Sequence, residues 1–138
     1  MREILFKAMR KDNGEWVEGL LWKKKPNANK IFISCFPDMD DNEEVYVVDP
    51  NTICQYTGLT DKNGKEIWEN DIVIYDNSPY NVYCNPHKGQ IIHRHGCLCF
   101  KYLLYGSITY KSFLSDDFFE KKCEVVGNVF DNADLMKG

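Results

Sequence analysis

The sequence predicts an all-β protein of two small β subdomains, with at most short helical turns. Three observations carry this reading. Asp61-Lys62-Asn63-Gly64 stands between Tyr56–Leu59 and Lys65–Trp68, and Asn-Gly between apolar stretches is a strong hairpin signal. Aromatics are abundant, with eight Phe, eight Tyr and three Trp in 138 residues, and such side chains suit pleated, half-buried surfaces. No strand pattern alternates with a long helical one, which argues against a parallel α/β sheet. The turn at Gly64 divides the chain into residues 1–64 and 65–138.

Along the chain, Ile4, Phe6 and Ala8 fall on one face of an alternating segment. Asp12-Asn13-Gly14 turns it into Glu15–Trp22, which completes a hairpin. Gly19 lies inside the returning strand, which predicts a bulge or a close backbone approach. Ile31–Phe36 and Glu44–Val48 are two further strands, the second stopped by Asp49-Pro50. Glu69-Asn70-Asp71 launches the β-branched run Ile72–Tyr75, followed by a long loop rich in Asn, Pro and Tyr. Gly89–Arg94 and Cys97–Tyr102 form a tight hairpin around His95-Gly96. Residues 103–119 suit strand or loop, and Phe113–Lys121 has room for a short helix. Cys123–Phe130 is the last strand, and Asp131-Asn132 caps a final turn over 133–136. Alternation places Trp16, Ile33 and Val47 in the first core and Ile72, Ile74, Phe100 and Val126 in the second.

Charge and cysteines narrow the function classes. The net charge is −4. Residues 1–64 hold nine Lys/Arg against eleven Asp/Glu, and residues 65–138 eight against ten. No half is basic, so binding to duplex nucleic acid is not expected. No apolar run approaches the roughly 18 residues that span a bilayer, and the N-terminus opens into a strand pattern rather than a signal-peptide core. A cytoplasmic location follows as the expectation. The six cysteines are then read as free, mostly buried small apolar residues.

Two clusters suggest chemistry. Cys84, His87, His93, His95, Cys97 and Cys99 gather all three histidines and half the cysteines within sixteen residues. Such N and S donors are zinc ligands, but the spacing lacks a C-x-x-C knuckle, and a half-buried hairpin accounts for it equally well. Trp22 beside Lys23, Lys24 and Lys25 has the stacking ring and cations of a single-strand binder. A solvated loop is the plainer account, since Asp38, Asp40, Asp41, Glu43 and Glu44 follow closely. Those acids lack the glycine and terminal glutamate of a calcium-binding loop. No nucleophile elbow, zinc-protease helix or Gly-rich phosphate cradle occurs, so the chain is read as a non-enzyme with no cofactor.

Five segments together resemble the YopX family of small phage and prophage proteins: Met1–Lys7, Asp12–Gly19, Gln55–Ile67, Glu69–Val73 and Glu124–Asn132. The resemblance runs from end to end. It implies two small β subdomains, the second similar to an SH3-type barrel, in a bacterial or phage-encoded protein of the host cytoplasm. It implies no activity and assigns no catalytic residue. Asn70 stands where the family usually has Gly, and Asn tolerates the left-handed backbone such a turn needs. The expectation is a phage or prophage accessory protein acting as a non-catalytic binding or assembly module toward an unknown protein partner. The alternative is a single-stranded nucleic-acid-binding protein. A homo-oligomer is also expected, built on Ile31–Phe36 as an exposed apolar edge.

Overall fold

The computed structural model describes residues 5–23, 30–35, 44–75, 87–104, 107–112 and 121–136. They form eleven strands and two short 3-10 turns. Contacts divide the chain into two units, Met1–Tyr56 and Thr57–Gly138.

In the first unit β1 (Phe6–Met9) pairs antiparallel with β2 (Trp16–Lys23), Met9 opposite Trp16. Only the first half of β2 faces β1. From Leu20 onward it pairs with β3 (Ile31–Cys35), which pairs in turn with β4 (Glu44–Val48). Gly19 sits at this change of partner. A Cβ there would lie 2.1 Å from the Ser34 carbonyl oxygen, so the close backbone approach excludes any side chain. A bridge between Arg10 and Val48 ties β4 back to the first hairpin, with Lys11 N donating to Val47 O and Asp49 N to Met9 O. The core is Ala8, Ile31, Ile33 and Val48, with Phe6, Val17, Leu21 and Ile53 packed around it. After a 3-10 turn at Pro50–Thr52, β5 (Cys54–Thr60) starts beside β1.

Ile31–Cys35 is therefore an interior strand, hydrogen-bonded on both sides, and not the exposed edge its apolar sequence suggested. Beyond it β4 lies at an edge of the sheet, where Val45 is exposed.

β5 crosses the division between units, and its second half lies beside β6 (Glu66–Trp68). The Asp61–Gly64 turn goes with the second unit. Lys62 N donates to Cys123 O, and the Asp61 carboxylate, 3% exposed, accepts from three backbone N–H groups: Asn63, Lys65 and Val125. These bonds fasten the hairpin to the last strand. The second sheet runs β10-β9-β8-β7-β11, from β7 (Asp71–Tyr75), β8 (His87–Arg94), β9 (Cys97–Leu104), β10 (Ser107–Ser112) and β11 (Cys123–Asn128). All its pairings are antiparallel. Among the described residues β10 and β11 do not pair, so the sheet is not closed into the SH3-type barrel that the resemblance implies.

The two predicted tight turns of this unit take left-handed backbone. His95 and Gly96 have φ of 53° and 78° between the closing pair Arg94 and Cys97, a two-residue hairpin turn. Asn70 has φ of 71°. It is held there by Asn70 N donating to Ile91 O, Val129 N to Asn70 O, and Gln90 Nε2 to Asn70 Oδ1.

Phe100, fully buried, centres the second core with Ile67, Val73, Tyr75, Ile91, Cys123 and Val125. Its ring meets Tyr75 edge-on and stacks on Tyr102. Of the expected core, Ile33, Ile72 and Phe100 are fully buried, whereas Trp16, Val47, Ile74 and Val126 are only half-buried. The reasons are local. Cys123 and Val125 pair with Tyr75 and Val73 on the core side, which leaves Val126 at the register shift between Val125 and Gly127. Val73 and Tyr75 flank Ile74 and take the Phe100 face. Val48 stands opposite the core residue Ile31, which puts Val47 on the other face. Trp16 closes the end of its hairpin, with the Lys7 ammonium 4.8 Å over its ring. Of Phe113–Lys121, expected to hold a short helix, residues 113–120 lie outside the described residues, and Lys121 is helical together with Lys122. The final turn is a 3-10 turn at Ala133–Met136, with Leu135 N donating to Asn132 O.

Candidate binding face

The register of the β8–β9–β10 meander sorts its side chains onto two faces. Ile91 stands opposite Phe100, so odd positions of β8 and even positions of β9 look into the core. The other face receives Lys88, Gln90, Ile92 and Arg94 from β8, Cys97, Cys99, Lys101 and Leu103 from β9, and Ile108 and Tyr110 from β10. Leu103 lies directly opposite Ile108, and Lys101 opposite Tyr110.

The part of this face nearest β7 is covered, for Ile72 is fully buried. Over β9 and β10 it is open. Leu103 is 53% exposed, Ile108 57% and Tyr110 37%. Arg94 reaches across from β8 until its guanidinium carbon lies 3.8 Å from the centroid of the Tyr110 ring. This is a close cation–π contact that holds both planes in place. Cys99 lies on β9 between the two strands that carry them and is 4% exposed.

The electrostatics of the face are one-sided. Residues 77–115 contain Lys88, Arg94, Lys101 and Lys111 and no Asp or Glu. The remainder of the chain has thirteen Lys/Arg against twenty-one Asp/Glu. No carboxylate of the described residues pairs with Lys88, Arg94 or Lys101. Splitting the charge at Gly64 hid this, because the acid-free stretch was averaged with the acidic segments around it. A sliding count of acidic residues reveals it from sequence alone.

The residues singled out from sequence have other fates. Of the zinc candidates, Cys84 lies outside the described residues, as does the side chain of His87. His93 stands opposite Leu98 on the core-side face, at its exposed rim, with Nδ1 2.9 Å from Glu69 Oε2. Cys97 and Cys99 are on the opposite face, and His95 is in the turn. No three His, Cys, Asp or Glu side chains gather to hold a metal ion among the described residues. The described cysteines Cys54, Cys97, Cys99 and Cys123 are free thiols, and all but Cys97 are buried. Trp22 and Lys23 belong to β2 with side chains outside the description, and Lys24 and Lys25 lie outside it altogether. Elsewhere, Arg94 and Lys101 share a face with the aromatic ring of Tyr110. Tyr102 is turned to the core side against Phe100.

A second depression, of about 420 Å³, is lined by Arg10, Lys11, Asp12, Val45, Tyr46 and Val47. Its main cation is already committed. Arg10 grips Asp12 through two hydrogen bonds, 2.9 and 2.6 Å long, and stacks on Tyr46. The hydrogen bond to Arg10 holds the Asp12 carboxyl below its ordinary pKa, and the same bond raises that of Arg10. The arrangement fastens the first turn to β4 and leaves less charge for an external ligand.

Comparison with known proteins agrees with the fold. The family model described as YopX protein matches residues 5–137. No curated protein matches. Among solved structures the chain is similar to protein EF1440 from Enterococcus faecalis, with a TM-score of 0.59 and 22% identity, over 99% of this chain and 100% of that one. At that identity the likeness concerns the fold alone.

Proposed function

The chain belongs to the YopX family, and from that premise we propose that it is a non-catalytic binding module, a phage or prophage accessory protein working in the bacterial cytoplasm. The observation that carries this reading is the open face over β9 and β10. Leu103 and Ile108, in register and each more than half exposed, form an apolar pair bordered by Lys101, Arg94 and Tyr110. Apolar side chains ringed by polar ones characterise interaction surfaces. Support for a non-catalytic role comes from the separation of the reactive groups. Among the described residues, His93 is engaged with Glu69 on one face of the hairpin while Cys97 lies on the other, so these two groups do not meet. Assembly through an edge belongs to the same reading, with β4 and β10 as candidate strands in place of β3.

The test is photo-cross-linking inside cells with Ile108→p-benzoylphenylalanine, and Asp134→p-benzoylphenylalanine on an exposed turn as reference. The expected result is a discrete adduct at position 108 and none at 134. Equal, diffuse adducts at both positions, or none at either, overturn the binding reading for this face.

A further inference from the structure

We infer that the β8–β10 face binds single-stranded nucleic acid, with the Arg94–Tyr110 pair as the stacking platform and Lys88, Lys101 and Arg94 as the phosphate contacts. The inference rests on the binding-module reading and gives it a ligand.

The first element is charge. In a chain of net charge −4, the three strands of this face carry no acidic residue. Among the described residues, the carboxylate in register with Lys88 on this face is Glu124, two strands away on β11, and it faces the Lys62 ammonium at 3.9 Å. Alternation puts Lys88, Arg94 and Lys101 on the same face, and none of them is spent on an internal ion pair among the described residues. Cations sharing one face of an acidic protein fit a polyanion.

The second element is stacking. Sequence-tolerant single-strand binders combine a cationic track with aromatic faces on which bases stack. Tyr110 is partly exposed, and the guanidinium 3.8 Å from its ring centroid is itself a planar surface. Leu103 and Ile108 extend the apolar floor beside it. A duplex hides its base faces, and its affinity for proteins grows with the number of phosphates neutralised. Three cations on one sheet face suit a single strand better.

The experiment is fluorescence anisotropy of the full-length protein with labelled oligothymidylate, oligouridylate and a duplex of the same length, at about 50 and 200 mM salt. Three phosphate contacts predict a log–log slope of about −2 for the single strands, hence roughly 15- to 20-fold weaker binding across that interval. Tyr110→Ala should weaken binding at least about 5-fold by loss of stacking. Arg94→Glu and Lys101→Glu should each lower the slope by about 0.7. Circular dichroism checks that each variant stays folded, and Lys101→Gln provides a milder change at the same site. Absence of single-strand binding overturns the inference. So does binding unaffected by these variants but lost on Lys24→Glu with Lys25→Glu, which would move the site to the first unit. A photo-adduct at position 108 containing only protein, or self-association abolished by Ile108→Lys, would leave the binding module standing and remove the nucleic acid.

Discussion

Asp61→Asn is the substitution that most sharply tests how the second unit is held together. In the native protein one carboxylate oxygen accepts from Asn63 N and Lys65 N, each at 2.9 Å, and the other accepts from Val125 N at 2.9 Å. An amide has one oxygen. If that oxygen keeps the turn, its NH2 group points at the Val125 N–H, and a buried donor faces a donor. The orphaned group costs about 1–3 kcal/mol, and the remaining bonds lose their charge assistance. We expect a total of about 2–4 kcal/mol and a melting temperature lower by on the order of 10 °C. Urea unfolding at neutral pH measures it, with Asp134→Asn on the exposed last turn as a control expected within about 0.5 kcal/mol. Asp61→Ala should cost at least as much, because it strips the acceptor from all three donors. A loss below about 0.5 kcal/mol for Asp61→Asn would refute the claim that this carboxylate ties the β5–β6 turn to β11.

Three further outcomes follow from the same structure. Phe100→Ala empties the centre of the second core and should cost about 3–5 kcal/mol in chemical denaturation; an unchanged midpoint would place the ring outside the core. Gly19→Ala puts a methyl group 2.1 Å from the Ser34 carbonyl oxygen, and since backbone must move, a loss of about 1–3 kcal/mol is expected in the same assay. Asp12 has a depressed folded-state pKa, so its contribution is fully present above its unfolded value near 3.8 and is lost as pH falls through the lower folded value. Asp12→Asn should therefore flatten the acid side of the stability profile below about pH 4 and leave its shape unchanged near neutrality.

Much of the fold was legible because strands announce themselves through alternation and turns through their chemistry. The His95-Gly96 and Asn70 turns were readable as left-handed positions, and Gly19 as a close approach, since few residues meet those demands. Face assignment was less secure. A single bulge at Val125–Gly127 reverses the parity of everything beyond it, and Gly127, a glycine inside a strand like Gly19, is its local signal. The edge reading of Ile31–Cys35 failed for a related reason, since an apolar strand free of charge looks the same whether it is paired on one side or two. The Arg94–Tyr110 pair joins residues on strands that are not sequence neighbours, and only the meander's register brings them together. The charge asymmetry was visible in principle, but a division at Gly64 blurred it.

The central claim is that the working surface of this protein is the outer face of β8–β10. The most direct measurement is an amide-resolved NMR titration of the full chain with a short single-stranded oligonucleotide. The account predicts shifts concentrated at Lys88, Arg94, Lys101, Leu103, Ile108 and Tyr110, with the core-side neighbours and the first unit little changed. Shifts confined to residues 22–30, or none at saturating oligonucleotide, would contradict it.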